Sequence, residues 1–200
     1  MDKDSLQKMK PIYQQIWKLA KPYYQKGRPM DIDHIEWMMK DALLVCEKEK
    51  LDDSLLLPLV ILHDVGYAEV PKDNPFNLDL RKAHMKAGKK IAKEILEKVN
   101  YPKEKIKKIS YYVSVHDNWA LGELKIYEDP ILNIFKDLDF IWIATEKGFP
   151  AVMKILGKNK KEMWGYVMAE PIPVYGKKPF ANRTTELLYK NYLKARKKAL

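Results

Sequence analysis

Apolar positions along the chain recur three and four apart, the period of amphipathic helices, and no Asn-Gly between alternating apolar residues signals a hairpin. The fold class expected is all-α. A first helix is expected over about Leu6–Ala20, with Leu6, Met9, Ile12, Ile16 and Leu19 on one side and Pro22 as its stop. The next, DIDHIEWMMKDALLVCEKEK (Asp31–Lys50), is acidic at its start and basic near its end, as suits a helix dipole. Then comes LLLPLVILHDVG, Leu55–Gly66, apolar on nearly every face and so a helix for the interior of the protein. Asp52, Asp53 and Ser54 offer caps for it, Pro58 puts its start at Leu55 or Leu57, and Gly66 stands where a C-terminal cap belongs.

The segment YAEVPKDNPFN reads as a loop, after which Asn77 caps a long helix over Leu78–Val99. Pro102 opens another that runs to His116, and DNWALGELKIYED is again a loop. Asp129-Pro130 starts a helix through Ile143, which Gly148 closes; FPAVMKILGKNKKEMWGYVMAE forms one further helical region. A loop with Pro171, Pro173, Gly176 and Pro179 precedes a last helix from Ala181. No repeat or interdomain linker breaks this order, so residues 1–200 read as one helical bundle domain with its core at about 30–145.

Composition narrows the class. At 46% hydrophobic and 32% charged the chain is ordinary globular material. No segment reaches the ~18 uninterrupted apolar residues of a membrane helix, and MDKDSLQKMK does not resemble a signal peptide, so a cytoplasmic protein is expected. The single cysteine, Cys46, excludes an internal disulfide and a CxxC metal site. The net charge of +10 raises nucleic acid as a partner, but the basic residues are nearly all lysine. Arginine, on which base readout leans, occurs only at Arg28, Arg81, Arg183 and Arg196. A solvated Lys/Glu surface explains the charge more simply, although it would still attract phosphorylated small molecules.

The candidate chemistry lies at the end of the apolar helix. His63 and Asp64 carry two polar groups into the interior, where they cost free energy unless something pairs with them, and a cation is the obvious partner. His34 shares a helical stripe with Met38, Asp41 and Val45; His84 lies between Leu80 and Ile91, with Gly88 four residues on; His116 continues Ile106, Ile109 and Val113. A lone inward histidine is usually a satisfied core residue. Four on inner faces, one of them beside an aspartate, point to a shared cation. Asp139 falls between Phe135, Trp142 and Ile143 on the apolar face, whereas Asp137 groups toward the polar side as a solvated position. Asp117 reads as a helix cap or a supporting partner of His116.

These residues resemble the HD-domain superfamily of metal-dependent phosphohydrolases, whose pattern is H…HD…D on an all-helical scaffold. His34, His63-Asp64 and Asp139 match it in order, and ILHDVG, HMKAGKKIAKEIL and KDLDFIW resemble its HD, His-helix and closing Asp segments. The resemblance implies His34, His63, Asp64 and Asp139 as ligands of one divalent metal. Imidazole and carboxylate donors suit Mn, Fe, Co, Ni or Zn. His84 and His116 match positions that some branches use for a second metal and others place near phosphate or the attacking water. They join Asp64 as expected catalytic residues, with one metal favoured and two as the alternative. Tyr67 stands where the cyclic-dinucleotide branch carries a lysine, so that substrate is not expected. Arg28, Lys86, Lys89 and Arg183 are the candidate phosphate-binding cations, with solvated surface as the simpler reading of each; Glu69 and Asp73 read as loop solvation.

The function implied is hydrolysis of a phosphate ester or anhydride in a small phosphorylated compound, a nucleotide above all. Two other readings stand beside it: a two-iron oxygenase on the same scaffold, which needs His84 and His116 as ligands, and a helical domain that binds nucleotide or nucleic acid without turnover. The aromatics Trp164, Tyr166 and Tyr175 leave a homo-oligomer open.

Overall fold

The computed structural model describes residues 9–72, 77–168 and 180–199. Leu6, Asp73, Tyr175 and the proline loop at 171–179 lie outside the described residues. Among those described, all regular structure is helical and no strand occurs. No helix among them is long and apolar enough to cross a membrane. The chain divides into two compact units, Met1–Ile126 and Tyr127–Leu200.

The first unit holds α1 (Pro11–Lys26), α2 (Asp31–Glu49), α3 (Asp53–Leu62), α4 (Leu78–Lys98) and α5 (Lys103–Val113). Short 3-10 turns at Val65–Glu69 and Asn118–Leu121 follow α3 and α5. At the centre is α3, every residue from Leu56 to Leu62 being buried. Each large aliphatic side chain so buried contributes about 1.5–3 kcal/mol. Asp52 caps the helix by accepting from the Ser54 N–H at 2.9 Å, so α3 begins earlier than Pro58 suggested.

Pro22 and Pro58, expected at helix ends, both lie inside helices. Pro58 has no N–H to give to the Ser54 carbonyl one turn back. The Tyr101 hydroxyl, donating to that carbonyl at 2.7 Å, takes its place. α1 likewise runs through Pro22 rather than stopping at Ala20, and this extension buries Tyr24, whose hydroxyl donates to the Ile61 carbonyl at 2.9 Å. The buried face of α1 is Tyr13, Ile16, Trp17, Ala20 and Tyr24, rotated from the expected stripe; Ile12 and Leu19 are half-buried.

Gly66 is not a left-handed cap, since its φ is not among the positive ones. It is instead a point of backbone contact. A Cβ there would lie 1.9 Å from the His84 carbonyl oxygen and 2.5 Å from the Gly88 nitrogen. On the other side of the same turn, a Cβ on Gly27 would lie 2.6 Å from the Tyr67 carbonyl carbon. Glycine is required where two backbones come this close. The turn after His63-Asp64 is thus held between the α1–α2 connection and α4, not released into a loop.

The second unit contains α6 (Pro130–Ile141), α7 (Gly148–Ile155), α8 (Lys160–Met168) and α9 (Arg183–Ala199), with a 3-10 turn at Trp142–Ala144. Asp129 caps α6 as expected, accepting from the Ile131 and Leu132 N–H groups. Gly148 opens α7 rather than closing α6, and the close backbone there requires a glycine, since a Cβ would lie 1.9 Å from the Trp142 carbonyl oxygen. Phe149, Met163 and Val167 form a small apolar cluster in this unit.

Candidate metal centre

Four elements of the first unit converge on Asp64. His34 comes from the first turns of α2, and His63 is the C-terminal cap of α3. His84 comes from the N-terminal half of α4, and His116 from the turn that follows α5. All four histidines, expected on inner faces, are buried, and His84 is fully so. Two triads have donor atoms within 4.8 Å of one another: His34, His63 and Asp64, and Asp64, His84 and His116. Asp64 belongs to both. Its Oδ2 lies 3.5 Å from His63 Nε2, while its Oδ1 lies 3.4 Å from His84 Nε2 and 3.3 Å from His116 Nε2.

Backbone carbonyls orient three of these rings. His63 Nδ1 lies 3.0 Å from the Val60 carbonyl, His84 Nδ1 3.3 Å from Leu80 and His116 Nδ1 2.9 Å from Val113. Each Nδ1–H therefore donates backward along its own element and leaves Nε2 facing Asp64. Metal-binding histidines are commonly held this way.

In the neutral form, three imidazole lone pairs and a carboxylate then face one another at 3.3–3.5 Å, with His84 Nε2 only 3.3 Å from His116 Nε2. Acceptors so arranged repel unless a positive charge lies among them. The donor set therefore fits a divalent cation. A proton on His116 answers part of the same demand: burial alone would lower its pKa, but the hydrogen bond to Asp64 and the nearby Asp117 raise it to about 9. Burial lowers His34 to about 3 and His63 to about 4, so both present neutral nitrogens at neutral pH. Asp64 is held well below the usual carboxylate range, because His63, His116 and His84 outweigh the effect of burial.

Around this cluster lie cations that only partly match the expected ones. Arg28 is 3.1 Å from Asp31 and sits over the Tyr67 ring at 4.4 Å. Tyr67 in turn stacks on His84, with ring centroids 4.0 Å apart and planes 8° from parallel. Arg81, which the sequence reading passed over, is buried and pairs with Asp117 at 2.7 Å while lying over Trp119. Asp117 also lies 3.8 Å from His84 Nε2, so it supports the histidines rather than capping α5. The signal for Arg81 was its position three residues before His84 on one helix face, in a chain with few arginines.

Lys86 and Lys89 are exposed on α4, and Glu69 is exposed with its carboxylate 2.9 Å from Lys26. Arg183 opens α9 in the second unit. Asp139 lies half-buried on α6, also in the second unit. Asp137 corrects the sequence reading: it is fully buried, not solvated. Its Oδ2 accepts from the Ala181 N–H at 2.5 Å and from the Thr185 hydroxyl at 2.8 Å, tying α6 to the start of α9.

No match to the chain was found among curated proteins or among solved structures. The HD domain family matches residues 31–148, a span that includes all four histidines, Asp64 and Asp139. Metal-dependent hydrolysis is the function type that goes with that family, and the two triads are residues able to hold its metal. With more than half of its length matched, the chain belongs to the HD-domain family.

Proposed function

We propose that the protein is a metal-dependent phosphohydrolase acting on a small phosphorylated compound, a nucleotide above all. The observation that carries this reading is the convergence of His34, His63, Asp64, His84 and His116 on one point with their acceptor atoms facing inward. A helical domain that only bound phosphate would need lysines and helix N-termini, not a buried set of acceptors. In this reading His34, His63 and Asp64 hold the cation, and Asp139 keeps the ligand role that the resemblance gives it.

A divalent ion bound there would lower the pKa of a water and neutralise charge on a phosphoryl group. The protein's own residues do the rest. Arg28 and Arg81 supply fixed positive charge beside the cluster, each held by a carboxylate and an aromatic ring. Tyr67 fixes the plane of His84. His116, with Nε2 3.3 Å from Asp64 Oδ1, is placed to exchange a proton with a leaving oxygen.

The two oxygens of Asp64 face different triads, which supports a second reading in which two cations share that carboxylate. An ion pair of this kind would clamp the attacking and leaving oxygens together. Two irons at the same positions would instead support oxygen chemistry, and metal analysis of protein purified without added metal separates that case.

The test is hydrolysis of p-nitrophenyl phosphate and of a nucleotide panel with Mn, Co or Ni. The wild-type protein is expected to turn over at least one of them and Asp64→Ala none. Activity surviving intact in Asp64→Ala overturns the assignment, and Asp139→Asn tests that ligand separately.

A further inference from the structure

A second site lies in the same unit. α4 and α5 form a helical hairpin joined at Val99–Pro102, and a cavity of about 910 Å³ opens along it. That is the size of sites for drug-sized molecules, about 300–1,000 Å³. It shares no lining residue with the His/Asp cluster.

Four lysines line it: Lys89 and Lys93 one turn apart on α4, and Lys103 and Lys107 one turn apart on α5. Glu97, 3.7 Å from Lys93, offsets only one of these charges. α5 starts at Lys103 with no side-chain cap, so its first N–H groups add to the positive end of the groove.

An independent feature points to an occupant. Ser110 lines the cavity, is 5% exposed, and its Oγ has no hydrogen-bond partner. A serine inside a helix usually returns its hydroxyl to a carbonyl one turn back. A buried hydroxyl left unpaired costs free energy that a ligand atom would recover. Beside it Tyr111 presents a ring that is 48% exposed, a face for another flat group. Lys103 and Ser110 are seven residues apart on α5, about 10 Å along the axis. A lone phosphate cannot span that length.

We propose that this groove binds a nucleoside polyphosphate, with the phosphates along the lysines, a hydrogen bond to Ser110 and the base against Tyr111. The site is distinct from the metal centre and stands whether or not that centre hydrolyses its substrate.

Isothermal titration calorimetry of the full chain, stripped of metal and held in EDTA, tests it with ATP as the probe. One ATP is expected to bind per chain. The double variant Lys93→Glu, Lys107→Glu is expected to weaken binding more than about tenfold, since both changes reverse charges facing the phosphates. Ser110→Ala is expected to weaken it about tenfold while melting no lower than the wild type, because it deletes an unpaired hydroxyl. Asp64→Asn is expected to bind as the wild type does. No ATP binding, or binding that survives both groove variants or disappears in Asp64→Asn, overturns the proposal. Tripolyphosphate binding as tightly as ATP overturns the ligand class.

Discussion

Replacing Gly66 by alanine is expected to damage the fold and the candidate metal centre at once. The added Cβ would lie 1.9 Å from the His84 carbonyl oxygen, 2.5 Å from the Gly88 nitrogen and 2.8 Å from the His84 carbonyl carbon. All three are backbone atoms, so no side-chain rotation relieves the clash. The turn at Val65–Glu69 and α4 must separate by about 1 Å or more to restore van der Waals contact. Overpacking of this kind costs about 3 kcal/mol at the upper end of its usual range. For a chain of this size that corresponds to a melting temperature lower by about 6–12 °C. The displaced segment carries His84, and a shift of about 1 Å at such a site can cost about 100-fold in rate. Thermal melting by circular dichroism, with and without Mn, measures the first effect, and a metal titration shows how far the centre is disturbed. Gly165→Ala is the control: nothing lies within 4 Å of its Cβ, and on α8 the change should be neutral or slightly stabilising. A Gly66→Ala protein that melts and binds metal as the wild type does would refute the close-packing argument.

Asp137 should give the stability curve a feature in mild acid. Burial raises its pKa from 3.8 to about 6, so its contribution to stability is complete below about pH 4 and is lost as pH rises through 6. At about 1.4 kcal/mol per unit the whole loss, accrued between about pH 4 and 6, is on the order of 3 kcal/mol; roughly 1.4 kcal/mol of it falls between about pH 5 and pH 7.5, where melting temperatures should show it shrinking in Asp137→Asn. Tyr101→Phe leaves the Ser54 carbonyl opposite Pro58 without its donor and is expected to cost about 1–3 kcal/mol in urea denaturation. Arg81→Met strands the buried Asp117 carboxylate and is expected to cost about 3–5 kcal/mol, whereas Lys82→Met on the exposed face should stay within about 0.5 kcal/mol.

Much of the fold was legible because it is written in local terms. Asp52, Asn77 and Asp129 sit where caps were expected, and each accepts the N–H bonds a cap should. The inward stripes of His34, His84 and His116 follow from helical spacing alone, and those residues are buried. The misreadings came from partners distant in sequence. Pro58 stays inside α3 because Tyr101 satisfies the carbonyl it orphans, and no local pattern reveals that. Gly66 looked like a cap but serves a backbone contact with α4. Asp137 looked solvated because helical period separates faces only within one helix; its cover comes from Ala181 and Thr185 on a segment far along the chain. Arg81 has no assignment from the sequence, because its partner Asp117 lies far along the chain. Ser110 carries no local signal in the sequence, although it is buried and lines a groove.

The central claim is that Asp64 and the histidines around it form a cation site, and metal content tests it most directly. Wild-type protein and Asp64→Asn, each loaded with Mn and passed through a desalting column, can be compared by elemental analysis. The substitution keeps the shape of the side chain and removes the charge shared by both triads. The wild type is expected to retain one Mn per chain, or two if both triads are filled, and Asp64→Asn none. Equal metal content in the two proteins would contradict the account.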